Sequence, residues 1–330
     1  MGRIAPGGVA GSKARTRAAA APLAVSLVLV ATLAGCLFSS ESPAPSADAS
    51  GALPTAAASV AVSPGTSPGA SPGTSPSPST SPSGPTKPTP CPGSNRNPGA
   101  AAGRQFSGSS TNWSGYVSAV KKTGVTCVEG SWIEPAVTCP RTGHQAVAIW
   151  IGIDGFSAKT LGIPSTDVLV QIGTQATCTN GVAAHEAWHE ILPGEAHEVP
   201  IAAVIHAGDH MSAKVSYANG RFTLVLFDAD AQGLFSITAP APGAPRKTAE
   251  WIVEAPATDC PGSCAPLPLP NFGSVRFTGA FATIAGQRAS INDASWSNVK
   301  LRMARRGVTR TTVTSLSSGG TSFRVAWKHS

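Results

Sequence analysis

Asn219-Gly220 separates two short runs, Lys214-Val-Ser-Tyr217 and Arg221-Phe-Thr-Leu-Val-Leu-Phe227, in which residues alternate between two sides. A two-residue hairpin turn needs positive φ at both central positions, and Asn-Gly reaches it at least cost. The same rhythm recurs along the chain. Ala146 to Ile153 and Val168 to Gly173 are apolar runs ended by glycine or turn residues. Ser274 to Ile284 alternates, and Gly319-Gly320 separates two Thr/Val/Phe-rich stretches. Almost no segment sustains a 3.6-residue apolar period, so helices are expected to be scarce. Many short strands joined by Gly and Pro turns predict an all-β fold, a sandwich or a barrel, with a sandwich favoured at this size.

The N-terminus has a different character. Arg3, Lys13, Arg15 and Arg17 precede an uncharged segment from Ala18 to Gly35, the order of an export signal. It runs into Leu33-Ala34-Gly35-Cys36, which resembles the lipobox of bacterial lipoproteins. That resemblance implies a signal peptide over residues 1–36 and lipidation at Cys36. Loss of 1–36 takes away four cations and lowers the formal charge from +7 to +3, so the basic balance is largely a property of the signal. No Lys/Arg cluster interleaved with aromatics remains, and nucleic acid is not an expected partner.

Residues 39–105 contain no Phe, Tyr or Trp and five charged residues, with a Ser-Pro-Gly-Thr repeat beginning at Ser63. Such a segment cannot bury enough apolar surface to offset its ordering entropy. Residues 37–105 therefore read as a disordered linker with a coil reach of roughly 50 Å. Residues 106–330 are long enough for one large all-β domain. Six cysteines follow Cys36, an even number that suggests disulfides in an exported chain. Connectivity is open; Cys260 with Cys264 and Cys127 with Cys139 are the pairs that proximity favours.

His185-Glu186-Ala187-Trp188-His189 matches H-E-x-x-H, the zinc-peptidase pattern. That chemistry needs a helix, which brings the two imidazoles onto one face to share an ion. Here Asn180-Gly181 precedes the motif and Pro193-Gly194 follows it closely. On a strand, residues four apart are about 13 Å from each other, too far for one zinc. The expectation is no metal and no cofactor, with the histidines in solvent or along a cleft.

Several longer segments stand in a recognisable order: Asn112-Trp-Ser-Gly-Tyr116, Gly130-Ser-Trp-Ile-Glu-Pro135, Ile149-Trp-Ile-Gly-Ile-Asp-Gly155 and Val168-Leu-Val-Gln-Ile-Gly173. Ala187-Trp-His-Glu190 with Pro193, Gly208-Asp209, Thr248-Ala-Glu-Trp-Ile-Val-Glu254 and Asn271-Phe-Gly273 continue it. From about Thr111 to Thr283 the chain resembles the glutamic peptidases, or eqolisins. The resemblance implies an antiparallel β-sandwich of two large sheets, in the concanavalin or jelly-roll manner, and an endopeptidase working at acidic pH. It implies Glu250 as general base and acid and Gln171 as the oxyanion donor, with Glu254, four residues on, as the rival glutamate. Trp113, Trp150 and Trp188 would wall the cleft, and Asp154, Glu186 and Glu190 would support it. Ile172, Thr248 and the loss of aromatics after Trp188 depart from the family pattern.

These readings together give a peptidase domain at 106–330 acting as a monomer on peptide or protein substrates. It would sit outside the cell, secreted or held at the membrane only through the lipid. Two other readings stay open: a zinc metallopeptidase using His185, Glu186 and His189, and a non-catalytic lectin-like module on the same architecture.

Overall fold

The strands follow the alternation in the sequence. The structure, a computed structural model, describes residues 27–28, 86–95, 103–194, 196–199, 204–257 and 265–330. In chain order the main strands are β1 (Gln105–Ser110), β2 (Trp113–Ala119), β3 (Val125–Ile133), β4 (His144–Asp154), β5 (Leu169–Thr179) and β6 (Val182–Ile191). They continue with β7 (Ala196–Glu198), β8 (His210–Ala218), β9 (Arg221–Asp228), β10 (Gly233–Ala239) and β11 (Thr248–Glu254). The last are β12 (Ser274–Ile284), β13 (Gln287–Ser290), β14 (Ser297–Arg305), β15 (Thr311–Val313) and β16 (Phe323–Trp327). Among the described residues the one helical element is a 3₁₀ turn at Lys159–Leu161.

The strands form two sheets of ten and nine strands. The first has the order β1-β14-β2-β11-β4-β5-β6-β7, and the second β10-β9-β8-β3-β12-β13 with β16 beside β12 and β15 beside β16. Pairing is antiparallel except at the margins, where β1 runs parallel to β14, Leu27–Val28 parallel to β1, and Ser94–Asn95 parallel to β13. The expected sandwich is therefore present, with mixed edges. Asn180-Gly181 and Asn219-Gly220 both take positive φ and close the β5-β6 and β8-β9 hairpins.

The core lies between the sheets. Ile149, Ile151, Ile172, Trp251 and Val253 of the first sheet pack with Val128, Met211, Val215, Phe222, Leu224 and Phe277 of the second. Two tryptophans also bond across the gap. Trp251 Nε1 donates to the Glu129 carbonyl (2.8 Å), and Trp132 Nε1 to Thr174 Oγ1 (3.0 Å). Gly130 admits the Trp251 ring, because a Cβ there would lie 3.0 Å from Trp251 Cδ1.

Residues 86–95 fall inside the expected linker, yet Cys91 is buried and bonded to Cys127. The second disulfide joins Cys139 to Cys178. The expected Cys127–Cys139 pair does not form. Cys127 lies near the start of β3, and the six residues from it to Ile133 carry the chain about 20 Å away before it turns. Cys260 and Cys264 lie outside the described residues. So do Cys36 and the proposed signal peptide, apart from the short strand at Leu27–Val28.

A peptide map under non-reducing conditions is expected to recover Cys91–Cys127 and Cys139–Cys178 fragments. Replacing Cys139 and Cys178 together by Ser should lower stability by about 3–4 kcal/mol, from the loop the bond closes. Recovery of a Cys127–Cys139 fragment would show the pairing to be wrong.

Candidate active site

Strand register assembles the site on the outer face of the first sheet. Side chains of β11, β4, β5 and β6 that share this face stand in rungs. One rung is Glu250, Gly152, Gln171 and Glu190, each opposite the next. Two residues along, the rung is Ile252, Trp150, Gly173 and Trp188. Two further, it is Glu254, Ala148, Gln175 and Glu186. The face thus carries two rungs of the same plan, each a glutamate, a small residue, a glutamine and a glutamate, divided by a rung of tryptophans.

The small residues make room. Gly173 cannot carry a side chain, since a Cβ there would come within 2.1 Å of the Ile149 carbonyl oxygen and 2.6 Å of Trp150 Cβ. Gly152 stands without a side chain between Glu250 and Gln171, whose strands are about 9–10 Å apart. A Cβ at Gly152 would press on the Val170 carbonyl oxygen at 3.0 Å and the Trp150 ring at 3.1 Å. Trp113 packs edge-on against Trp150 (centroids 4.9 Å apart), and both join Trp188, Phe156, Leu161, Ile163, Leu169 and Leu192 in one apolar cluster. The carboxyls consequently sit under protein.

The two glutamates of β11 differ in their partners. Glu254 accepts from Asn112 Nδ2 (2.9 Å) and from Trp150 Nε1 (2.8 Å), so each oxygen is occupied. Glu250 is fully buried, and neither of its oxygens meets hydrogen-bond geometry with a described donor. Gln171 Nε2 donates to Glu190 Oε2 (2.5 Å), which fixes the amide plane and leaves the second N–H of that nitrogen available. Gln175 Nε2 donates to Glu186 Oε1 (2.8 Å) in the other rung. Asp154, at positive φ where β4 ends, accepts from the backbone N–H groups of Arg246 (2.7 Å) and Lys247 (2.8 Å).

Burial dominates the acidities. It drives the Glu250 carboxyl well above the ordinary glutamate range; the Thr248 hydroxyl on the same face opposes this and the Asp154 charge adds to it. Glu190 rises to about 8 by burial, opposed by the Gln171 hydrogen bond and helped by the charge of Glu254. Burial carries Glu254 to about 7 and Asp154 to about 6, against the hydrogen bonds each accepts.

All the expected cleft residues, Trp113, Trp150, Asp154, Gln171, Glu186, Trp188, Glu190 and Glu250, stand on or at the end of this face. The two histidines do not. His185 and His189 alternate to the inner face of β6, away from Glu186, Trp188 and Glu190. His185 Nδ1 lies 2.9 Å from Glu134 Oε1, whose other oxygen accepts from Thr174 Oγ1 (2.5 Å). His189 is buried against Phe235 and His197, each ring centre 5.4 Å away, and burial lowers its pKa. Their expected place in solvent or along the cleft is corrected: a strand puts odd and even residues on opposite sides. The zinc reading fails on the same geometry, because the motif is a strand with its glutamate facing away from both histidines. Gly152, Gln175 and Asn112 were not singled out as site residues from the sequence, and only the registers of β11, β4, β5 and β6 reveal the first two.

The described site predicts a pH trend in stability. A carboxyl whose folded pKa lies above its unfolded value binds protons more tightly when folded, so stability is highest below the unfolded pKa, near 4.3, and falls as pH rises. With Asp154, Glu254 and Glu190 at about 6, 7 and 8, the loss should spread from about pH 4.5 to 8. Melting temperatures measured across that range are expected to decline, and Glu190→Gln should flatten the upper part. A flat or rising profile would show these carboxyls to be solvated.

Comparison with known proteins agrees with this geometry. The profile of the peptidase A4 family matches residues 111–327. Aspergillopepsin-2 of Aspergillus niger is 26% identical over 208 residues, 56% of this chain and 69% of that protein. Among solved structures, scytalido-glutamic peptidase with a transition state analog inhibitor superposes with a TM-score of 0.55 at 18% identity, covering 66% of this chain and 98% of that one. SCP-B, an eqolisin in complex with the tripeptide Ala-Ile-His, gives 0.52 at 18% identity over 66% and 98% of the two chains.

Proposed function

The chain belongs to the peptidase A4 family, and from that premise we propose that it is a glutamic endopeptidase in which Glu250 and Gln171 carry the reaction. The observation that supports this choice of pair is the contrast within β11. Glu254 has both oxygens engaged, whereas neither oxygen of Glu250 meets hydrogen-bond geometry with a described donor, and Glu250 shares a rung with Gln171, one strand apart across Gly152.

In the proposed cycle the peptide displaces part of the apolar cover and sets its scissile carbonyl between the two side chains. Glu250, which burial keeps protonated in the free protein, gives up its proton to solvent once that cover is displaced, and then takes a proton from a water as that water's oxygen bonds to the carbonyl carbon. The carbonyl oxygen gains the negative charge and receives the free N–H of Gln171, an interaction worth about 3 kcal/mol per donor in comparable sites. Glu250 returns the proton to the amide nitrogen, the C–N bond breaks, and a carboxylic acid and an amine leave. Glu190 positions Gln171 by accepting its other N–H. Trp113, Trp150 and Trp188 supply the apolar wall, and Asp154 and Glu186 hold the backbone and Gln175 at its margins.

The carboxyls around the pair give the reaction an acidic range. Below their raised pKa values Asp154, Glu254 and Glu190 are neutral. Ionising them places negative charge beside a developing oxyanion and should slow the step as pH passes 6–8. In the full proposal, residues 1–36 direct export with lipidation at Cys36, residues between them and the domain act as spacer, and the monomeric peptidase domain works outside the cell. The two disulfides support an oxidising compartment.

Peptide cleavage assayed from pH 2 to 8 tests the chemistry. Glu250→Gln is expected to lose at least about 10³-fold in kcat and Gln171→Ala about 10²–10³-fold, with native melting curves. Gly152→Val should also abolish turnover by driving a side chain against the Trp150 ring and the Val170 carbonyl beside the pair. Glu254→Gln, which leaves a buried donor facing a donor, should cost about 1–3 kcal/mol of stability and less activity. EDTA, His185→Ala and His189→Ala should leave kcat at acidic pH within a few-fold. Activity that survives Glu250→Gln but not Glu254→Gln would move the reaction to the other rung.

Fractionation tests the anchor. Cys36→Ala protein is expected in the soluble fraction with unchanged specific activity. Complete retention in membranes would point to an uncleaved apolar segment in place of a lipid.

A further inference from the structure

At the opposite end of the second sheet from the β8-β9 hairpin turn, three aspartates converge. Asp209 immediately precedes β8, Asp228 ends β9, and Asp230 lies in the turn toward β10. One carboxylate oxygen from each lies within 4.8 Å of the other two. Asp228 is fully buried, and its Oδ2 has no hydrogen-bond partner among the described residues. Its Oδ1 accepts the N–H groups of Asp230 (2.9 Å) and Ala231 (3.1 Å). Asp209 Oδ2 accepts from His206 N (2.6 Å) and Asp230 Oδ2 from His210 N (2.5 Å). The only ion pairs these carboxylates make among the described residues are with His206 Nδ1 (3.8 Å) and His210 Nδ1 (3.0 Å), both histidines well exposed.

A buried carboxylate oxygen without a donor, beside two more carboxylates, is costly unless a cation sits among them. We propose that Asp209, Asp228 and Asp230 bind a calcium ion. The donor set is all oxygen, which suits a hard cation and not zinc, whose protein sites favour His and Cys. Two oxygens each about 2.4 Å from one calcium are at most about 4.8 Å apart, the limit these three satisfy. Magnesium demands a strict octahedron and gives up its waters reluctantly, so a site built from protein carboxylates suits it less well. Asp230 is about half exposed, so water can complete the coordination. A chain working outside cells meets calcium at the concentrations that weak sites of this kind need, with Kd about 10⁻⁴–10⁻³ M.

The ion would tie together two turns that support the active-site sheet from behind. The Glu134 N–H donates to the Asp209 carbonyl (2.9 Å), and the Gly208 N–H to the Glu134 carbonyl (2.9 Å). Glu134 in turn holds Thr174 of β5 and His185 of β6. Calcium here acts on stability, not on the bond-breaking step, and the inference holds whether or not Glu250 and Gln171 are the catalytic pair.

The test uses the full chain at pH 7, freed of metal with EGTA, because protons compete with metal for carboxylates. Thermal melts and calorimetric titration with CaCl2 are compared with MgCl2. At about five times Kd, calcium should raise Tm by about 2–4 °C, and magnesium by less than half of that. Asp230→Asn, a change at an exposed side chain, should weaken calcium binding at least about tenfold, and Asp228→Asn should abolish the Tm shift. If Asp228→Asn does not fold, Asp209→Asn takes its place with the same expectation. No calcium-dependent shift at about 10 mM, an equal shift with magnesium, or an undiminished shift in Asp230→Asn would overturn the proposal.

Discussion

The register between β11, β4, β5 and β6 is the constraint on which the site depends. Side chains on a strand alternate, so a one-residue slip of any of these strands would send its glutamate or glutamine to the inner face. The core prevents this. Ile149, Ile151, Ile172, Trp251 and Val253 point inward against the second sheet, and each fixes the outward direction of its neighbours. Trp251 adds a directional lock through its bond to the Glu129 carbonyl, seated on Gly130. Packing that stabilises the sandwich therefore also places Glu250 beside Gly152 and Gln171.

Desolvation is the second consequence of that placement. An outer face covered by tryptophans and by Phe156, Leu161 and Ile163 denies water to four carboxyls within a few rungs. Such groups persist because they are neutral over much of the pH range or are met by donors. Glu254 is met by two donors, Asp154 by two backbone N–H groups, and Glu190 by one amide. Glu250 has no donor in hydrogen-bond geometry among the described residues, and burial holds it in the neutral, proton-bearing form in the free protein. The duplicated rung makes the contrast plain, since Glu254 and Gln175 repeat the layout without the unpartnered carboxyl or the glycine gap.

The H-E-x-x-H segment shows how one set of letters takes its meaning from secondary structure. On a helix, His185 and His189 would stand one turn apart on one side. On β6 they share the inner side about 13 Å apart and serve different partners, Glu134 for one and an aromatic pocket for the other. Glu186 turns outward to Gln175. The flanking Asn180-Gly181 already disfavoured a helix, because it is a hairpin turn that returns the chain along β5.

Alternation and turn dipeptides were enough to read the fold class, the Asn219-Gly220 hairpin and the span of β12, because these are local properties of the backbone and its side-chain period. The ordered motifs were enough to bring Gln171, Glu250, the three tryptophans and the neighbouring acids onto one list. Sequence alone favoured Glu250 with Glu254 as its rival, but could not show that Glu254 is bonded by Asn112 and Trp150, which lie far away along the chain. It also left hidden the spacing role of Gly152, the Cys91–Cys127 and Cys139–Cys178 pairing, and the meeting of Asp209 with Asp228 and Asp230. Those were decided only in the tertiary structure. A residue's own neighbours set its strand and its side, but its partners across the sheet are chosen by how every other strand packs.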